Sequence, residues 1–392
     1  MSSSTATFKI ERKKDFRISL GVAILALIVG AIGLFQMFVM HNHGALTSYV
    51  PWGLLVGAYI YMIWIEVGTI LAFTILYYGM KMKSLKKLTP VVLIAAISAL
   101  AAAMTLVGTK LGHPFRAWKV FLEPSFSSVM IWEIWTHILF IFLLLGMLYA
   151  TIKNKDVLLK RLSYISVPIG IVFISLVGAL FGVVAARPFW NVSVMPLMFF
   201  IASIVAGVAL LTLIHLLFSP TKGTEAYTDT AENLSRAFLG AISIGIIAAL
   251  GNALIIAFPN VPAYNDALDL VLFGPYWWTT WIIHLGIGIV IPLILLFFYS
   301  KNLKAMGAAA VFYLIGFSMV PVNIIIPGLA YPMSGMEGIA EAFNHSKLSF
   351  EYTPALVEWL VVIFAVGLAL FIFTLGYKYI LQPYFERTLD NQ

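Results

Sequence analysis

A chain of 392 residues that is 61% hydrophobic and only 10% charged cannot hide its apolar surface as a water-soluble domain. Its net charge of +7 is gathered into short basic clusters between long apolar runs, a pattern of membrane orientation that excludes nucleic-acid binding as its purpose. Cysteine is absent, which excludes disulfides, thiolate-held iron–sulfur clusters and cysteine zinc sites within this chain.

Ten runs are long enough to cross a bilayer, and they predict an all-α integral membrane protein. They cover 18–40, 52–80, 89–109, 127–151, 161–185, 194–218, 236–257, 276–299, 303–327 and 355–381. No segment alternates with the period of a strand, which argues against a β-barrel. The chain reads as a single membrane domain: a tail over 1–17, a first half over 18–185, a second half over 186–381 and a tail over 382–392. Helices 2–5 and 6–9 are expected to form two four-helix bundles, with helices 1 and 10 outside them. Of the 24 Lys and Arg, 19 lie before the first run, in the alternate loops from 81–87 onward, or at the C-terminal end. The positive-inside rule therefore places both termini in the cytoplasm of a multi-pass protein of the cytoplasmic (inner) membrane. The first run follows FKIERKKDFR, as a signal peptide would, but it is long and lacks a small-residue cleavage pattern, so it reads as a retained helix.

Ionisable groups inside a bilayer are costly, so each polar residue is weighed both as function and as structure. Helix 1 ends in VMHNHG, where His41, Asn42 and His43 offer donors at headgroup depth or are simply exposed. Glu66 stands in the middle of helix 2, in YIYMIWIEVGTI, as a proton relay or as an interhelical hydrogen-bonding carboxyl. The following outer loop holds Arg116 and Lys119 among aromatics and prolines, against the positive-inside trend. It suits a docking surface or a lid over a site, and equally an interfacial aromatic belt. On helix 4, Glu133 and His137 are four apart and share one face, about 9 and 15 Å below the outer end. A carboxylate stacked on an imidazole passes protons inward, or ties helices together. Arg187 occupies a later outer loop, and His215, near the cytoplasmic end of helix 6, reads as structural.

The polar stretch 219–235 is expected to be a flexible loop, with Ser235 capping helix 7. Asn252 and Asn323 are expected to bond between helices. Helix 8 repeats an aromatic pattern: Trp278-x-x-Trp281-x-x-His284 echoes Trp132-x-x-Trp135-x-His137, through duplication or chance. His137 and His284 allow one axial pair at most, and no helix carries a His near each end, so no haem is expected. No metal site is expected.

The stretch HPFRAWKVFLEPSFSSVMIWEIW resembles the membrane subunits of the NrfD/PsrC (polysulfide reductase-type) family, through Gly112, Pro114, Arg116, Trp118, Phe121, Pro124, Ser128, Met130, Trp132 and Glu133. ARPFWNVSVMPLMFFIASIVAGVAL from Ala186 and PWGLLVGAYIYM from Pro51 are further matching blocks, so the resemblance covers helices 2 to 6 and extends to the rest by layout. Ten helices are similar to the longer branch of that family. The resemblance implies a haem-free subunit with a quinone or quinol site near the outer face. It also implies two partners: an outer-side iron–sulfur protein of the four-cluster ferredoxin type, and a catalytic subunit, commonly a molybdopterin enzyme. His41, Asn42 and His43 match by position alone the family's quinone-contacting residues at the end of the first helix. The Tyr that such members use on a later helix has no clear counterpart.

The reading from residues and resemblance together is a quinone-reactive membrane anchor of a respiratory oxidoreductase complex, with no complete active site of its own. Its quinone site is expected between helices 1–4. Glu133, His137 and Glu66 are expected to handle protons, while Arg116 and Arg187 position the headgroup, the outer loops or the partner. Two rival readings stand beside it: a proton-coupled secondary transporter, and a structural anchor without quinone activity.

Overall fold

The computed structural model describes residues 2–42, 44–111, 113–258, 261–331 and 348–384, with backbone alone over 2–15. Among these residues, ten helices are long and apolar enough to cross a membrane. They are α1 (Phe16–Phe38), α2 (Leu54–Gly79), α3 (Lys83–Gly108), α4 (Val129–Ile152), α5 (Asp156–Gly182), α6 (Met195–Phe218), α7 (Glu225–Ala257), α8 (Thr279–Phe298), α9 (Leu303–Leu329) and α10 (Leu356–Tyr384). No described residue lies in a strand. His43 and Gly112 lie outside the described residues.

Loops gather at two ends. At the end remote from the N-terminus, called the far end below, Thr47 donates to the Ser349 carbonyl at 2.7 Å, Tyr276 donates to the Tyr352 carbonyl, and Arg187 donates to the Leu329 carbonyl. At the near end, Lys86 pairs with Asp156 at 2.7 Å and Thr230 donates to Ser84 at 2.7 Å.

The helices pack as two bundles. α2 lies against α3 and α5, and α4 closes the ring against the same two. α6 lies against α7 and α9, while α8 packs on α9 and, through Ile291–Phe298, on α7. The bundles meet along α2 and α6. A Cβ added to Gly68 would stand 1.8 Å from the Ser203 carbonyl oxygen, and one added to Gly207 would stand 2.0 Å from the Gly68 carbonyl oxygen. Only glycine permits this approach. In a bilayer, where lipid tails offer no hydrophobic drive between helices, such close backbone packing is a main source of association. Trp64, one turn before Gly68, packs edge-on against Phe199 of α6.

α1 and α10 form an outer pair, and α10 packs in turn on α3. Gly30 abuts the backbone of Phe364, Gly33 abuts Leu360, and Gly367 abuts Ala26. Ser19 and Thr374 share a hydroxyl hydrogen bond of 2.7 Å. The rest of α1 presents bare aliphatic side chains such as Leu25 and Ile28, a surface suited to lipid.

Four local features differ from the sequence expectation. α7 begins ten residues before Ser235, at Glu225, and its cap is Thr224, whose hydroxyl accepts from the Tyr227 N–H. The polar stretch hides an apolar face at helical spacing: Tyr227 and Ala231 are buried against Leu216 and Met306. α8 opens as a π-helix over Thr279–Val290. α9 is interrupted at Ser318 and Met319, and Pro321, which lacks an N–H, sits in the first turn of the second segment. A short helix, Pro262–Leu272, lies in the loop between α7 and α8.

Candidate functional site

Tyr59 and Glu66 are seven residues apart on α2, two turns along one face; Glu133 and His137 are one turn apart on α4. The two faces meet. The Tyr59 hydroxyl donates to Glu133 Oε1 at 3.2 Å, and His137 Nε2 lies 3.3 Å from both Glu66 Oε1 and Oε2. The His137 ring is stacked on Phe173 of α5, 4.2 Å between centroids and 21° from parallel. Glu66 is wholly buried, and Glu133 and His137 are each only 5% exposed. Glu66, Glu133 and His137 thus form, with Tyr59, two polar rungs between α2 and α4, the Tyr59–Glu133 rung nearer the far end. One helical turn, about 5.4 Å, separates the rungs along α4. Buried polar side chains this far from water must satisfy one another, and these do. Tyr59 was not singled out in the sequence; its spacing from Glu66 is the signal that would have found it.

Above the rungs, residues 113–128 fold back over α4. Phe121 meets Trp135 edge to face at 5.7 Å, and the Trp132 indole donates to the Phe126 carbonyl at 2.9 Å. Arg116 and Lys119 stay exposed and make no ion pair among the described residues, and Phe115 is 92% exposed. Arg187 stands apart from the rungs, at the last turn of α9, where its guanidinium donates to the Leu329 carbonyl at 3.4 Å. Burial lowers its pKa from the usual arginine value, and Tyr331 partly offsets this.

His41 and Asn42 follow α1 and are exposed; the Asn42 carboxamide oxygen accepts from the Gly44 N–H at 3.1 Å. They adjoin a carboxylate that the sequence reading passed over. Glu358, wholly buried, accepts from the Tyr352 hydroxyl at 2.8 Å, from the Ala355 N–H at 3.0 Å and from the Ala45 N–H at 3.4 Å. Tyr352 in turn accepts from the Leu54 N–H at 2.8 Å. One side chain therefore fastens the loop after α1 and, through Tyr352, the start of α2 to the start of α10. Its signal in the sequence was a Glu in a first helical turn after Pro354, the place of a capping-box acid. Burial, and then Glu358, hold the Tyr352 phenol well above its usual pKa, so it remains a donor. Burial lowers the Lys110 ammonium from its ordinary value, and Glu358 draws it partly back. Among the described residues, no hydrogen bond joins this brace to the rungs. Tyr59 packs against the apolar cluster of Met37, Leu55, Ala102 and Val361, the last of these about one turn along α10 from Glu358.

The other polar residues divide. His215 Nε2 is 3.0 Å from the Tyr227 carbonyl, a structural role. Asn323 does bond between helices, with Thr279 and Thr280 of α8. Asn252 differs from expectation: its Oδ1 is buried without a partner. Among the described residues, no three His, Asp or Glu are grouped to hold a metal ion.

The polysulphide reductase NrfD family pattern matches residues 42–332, most of the chain and every element of the two rungs. The chain belongs to the NrfD family. Two relatives extend the likeness over nearly the full length. A selenate reductase subunit of Mesobacillus selenatarsenatis is 24% identical, covering 92% of this chain and 93% of its own. The Hdr-like menaquinol oxidoreductase integral membrane subunit of Archaeoglobus fulgidus is also 24% identical, covering 91% of this chain and 92% of its own. Both relatives bear the names of reductase or oxidoreductase subunits, one of them a menaquinol oxidoreductase.

Proposed function

We propose that this NrfD-family chain is the quinone-reactive membrane subunit of a respiratory complex in the cytoplasmic membrane, with both termini in the cytoplasm and the far end outside. It exchanges electrons with an outer-side iron–sulfur subunit of the four-cluster ferredoxin type, linked to a catalytic subunit of molybdopterin type. The observation that carries the reading is the pair of buried rungs, Tyr59–Glu133 and Glu66–His137, directly beneath the loop 113–128.

The residues fit a quinone. A quinone supplies two-electron, two-proton chemistry, and the rungs offer groups that both donate and accept. Tyr59 holds a proton between its hydroxyl and Glu133 Oε1, and so orients the carboxyl. His137 presents Nε2 to both oxygens of Glu66, so a proton at either group is handed on without rotating the imidazole. Phe173 fixes the ring plane. Near-total burial keeps bulk water from short-circuiting the transfer. The exposed aromatics and free cations of 113–128 supply a docking surface for the iron–sulfur partner, while His41 and Asn42 border the quinone entry.

The test is Glu133→Gln in the assembled complex. The amide preserves shape and hydrogen bonding, but it cannot carry the proton. Quinol turnover should fall by about 100-fold, the contribution of one positioned acid–base group, with subunit composition unchanged. Wild-type turnover would end the proton-handling role. One observation favours a second reading, a proton-coupled transporter: the interrupted α9, since broken helices often line substrate sites in carriers. Solute uptake by the chain alone in liposomes would establish that instead.

A further inference from the structure

The second bundle encloses a cavity of about 310 Å³ between α6, α7, α8 and α9, with Trp64 of α2 in its wall. Its origin is legible in the sequence. α7 turns Gly245, Ala249 and Ala253 toward it, four residues apart, so that a full turn-by-turn row of side chains is missing from one wall. Both irregular helices border it. His284 belongs to the π-helical part of α8, and Phe317 and Val320 lie on either side of the break in α9. π-Helical turns are frequent at functional sites, and interrupted helices occur in membranes where the backbone is buried in protein or lines a cavity.

The wall is almost wholly carbon, yet polar groups on it lack partners. The Trp64 indole N–H is buried without a hydrogen bond, and His284 makes none among the described residues. The first bundle shows the contrast. There His137 stacks on Phe173 of the next helix and reaches Glu66. In the second bundle His284 again meets a phenylalanine of the next helix, Phe317, at 6.0 Å. The cavity that His284 lines includes Ala202 and Val205 of α6, and no carboxylate lines it. An apolar chamber with an unanswered imidazole on its wall is shaped for a neutral, flat molecule that brings its own acceptor.

We propose that this cavity is a second lipophile site, taking the carbonyl-bearing ring of an isoprenoid quinone from the bilayer. Its ligand class rests on the quinone reading above; its location and residues do not. The volume matches the lower range of small-molecule pockets, about 300–1,000 Å³. The ring stacks among Trp64, Tyr313 and Phe317, and a carbonyl accepts from His284. Entry is lateral: Leu250 lines the cavity and is also 60% exposed on the outer face of α7, so the wall there is one side chain thick. The isoprenoid tail leaves by the same route. This site binds without the carboxylate–imidazole pair of the first bundle, so it stores or stages the ligand and does not exchange protons.

The purified complex in lipid nanodiscs is irradiated with a photoreactive azidoquinone bearing a short isoprenoid tail, and the labelled peptides are mapped. Label is expected on the α8 and α9 peptides holding His284 and Phe317, removed by excess unlabelled quinone. It is expected to vanish in Ala249→Phe, which fills the chamber, while label near Glu133 persists. His284→Phe keeps the volume and removes the ring N–H. It should weaken competition by roughly five- to tenfold, the effect of one hydrogen bond. Label confined to the Glu133 region overturns this proposal and leaves the proposed function standing. Label confined to α8 and α9 does the reverse. Label at neither removes both, and α8–α9 label that survives Ala249→Phe overturns the cavity as its source. Recovery of a phospholipid from the chamber, with no quinone competing for it, also overturns the proposal.

Discussion

The substitution Gly68→Ala puts a single methyl group into the tightest contact between the two bundles. Its Cβ would stand 1.8 Å from the Ser203 carbonyl oxygen, whereas real Cβ atoms essentially never come within 3.0 Å of a neighbour. The backbones must therefore part by at least about 1.2 Å, and the obstacle is a main-chain carbonyl that cannot rotate away. Overpacking of this kind costs about 1–3 kcal/mol where side chains can yield, so a cost at or above about 3 kcal/mol is expected here. Glu66 lies two residues from Gly68, roughly 200° around the helix. Recoil from α6 therefore drives Glu66 toward His137, compressing a 3.3 Å contact. The assay is thermal unfolding in detergent, read by tryptophan fluorescence, beside Gly240→Ala, where nothing lies within 4 Å of an added Cβ. A fall of about 4 °C or more is expected for Gly68→Ala and no fall for Gly240→Ala. Equal melting of Gly68→Ala and the wild type would refute the close α2–α6 seam.

Three further outcomes follow from the geometry. Tyr59→Phe removes the donor to Glu133 and leaves a buried acceptor unmet, an expected loss of about 1–3 kcal/mol in unfolding free energy; unchanged stability would show that the rung contributes nothing. Glu358→Ala strips the acceptor from Tyr352, Ala355 and Ala45, so hydrogen exchange at the starts of α2 and α10 should quicken while the near-end loops stay as protected as before. Because the chain has no cysteine, Ser19→Cys with Thr374→Cys places the only thiols where two hydroxyls now sit 2.7 Å apart. Mild oxidation should link α1 to α10 in high yield, and absence of the cross-link would contradict their pairing.

The ten spans were legible because bilayer crossing imposes one loud signal, an apolar run of fixed length. The pairing of Glu133 with His137 on one face was legible for a similar reason, since helical spacing is rigid. Their partners across the bundle were not. Nothing in local spacing says that α2 meets α4 with Tyr59 opposite Glu133, because that register is set by long-range packing such as Gly68 on Ser203. Glu358 was missed because its burial needs a loop far away in sequence, 42–54, to fold against the adjoining stretch 348–355. The early start of α7 was obscured by polarity: 225–235 carries its apolar residues on one stripe only, and a mean over the stretch averages that stripe away. The π-helix of α8 and the break in α9 have no local sequence signal as plain as an apolar run. Gly288 and Gly316 lie where the two helices touch backbone to backbone.

The pairing of α1 with α10 has a consequence for how the protein is made. In chain order, α1 finds its main partner only after the eight helices that follow it, when α10 arrives. Until then its glycine faces, shaped for Phe364 and Leu360, stand open to lipid. The eight helices between can assemble without it, around contacts formed by neighbours in the sequence. Docking of α10 on α3 and α1 then joins the outer pair to the bundle, and it brings Glu358 into place between α1's loop and α2. A chain truncated before α10 would insert nine helices and leave the first of them adrift at the rim.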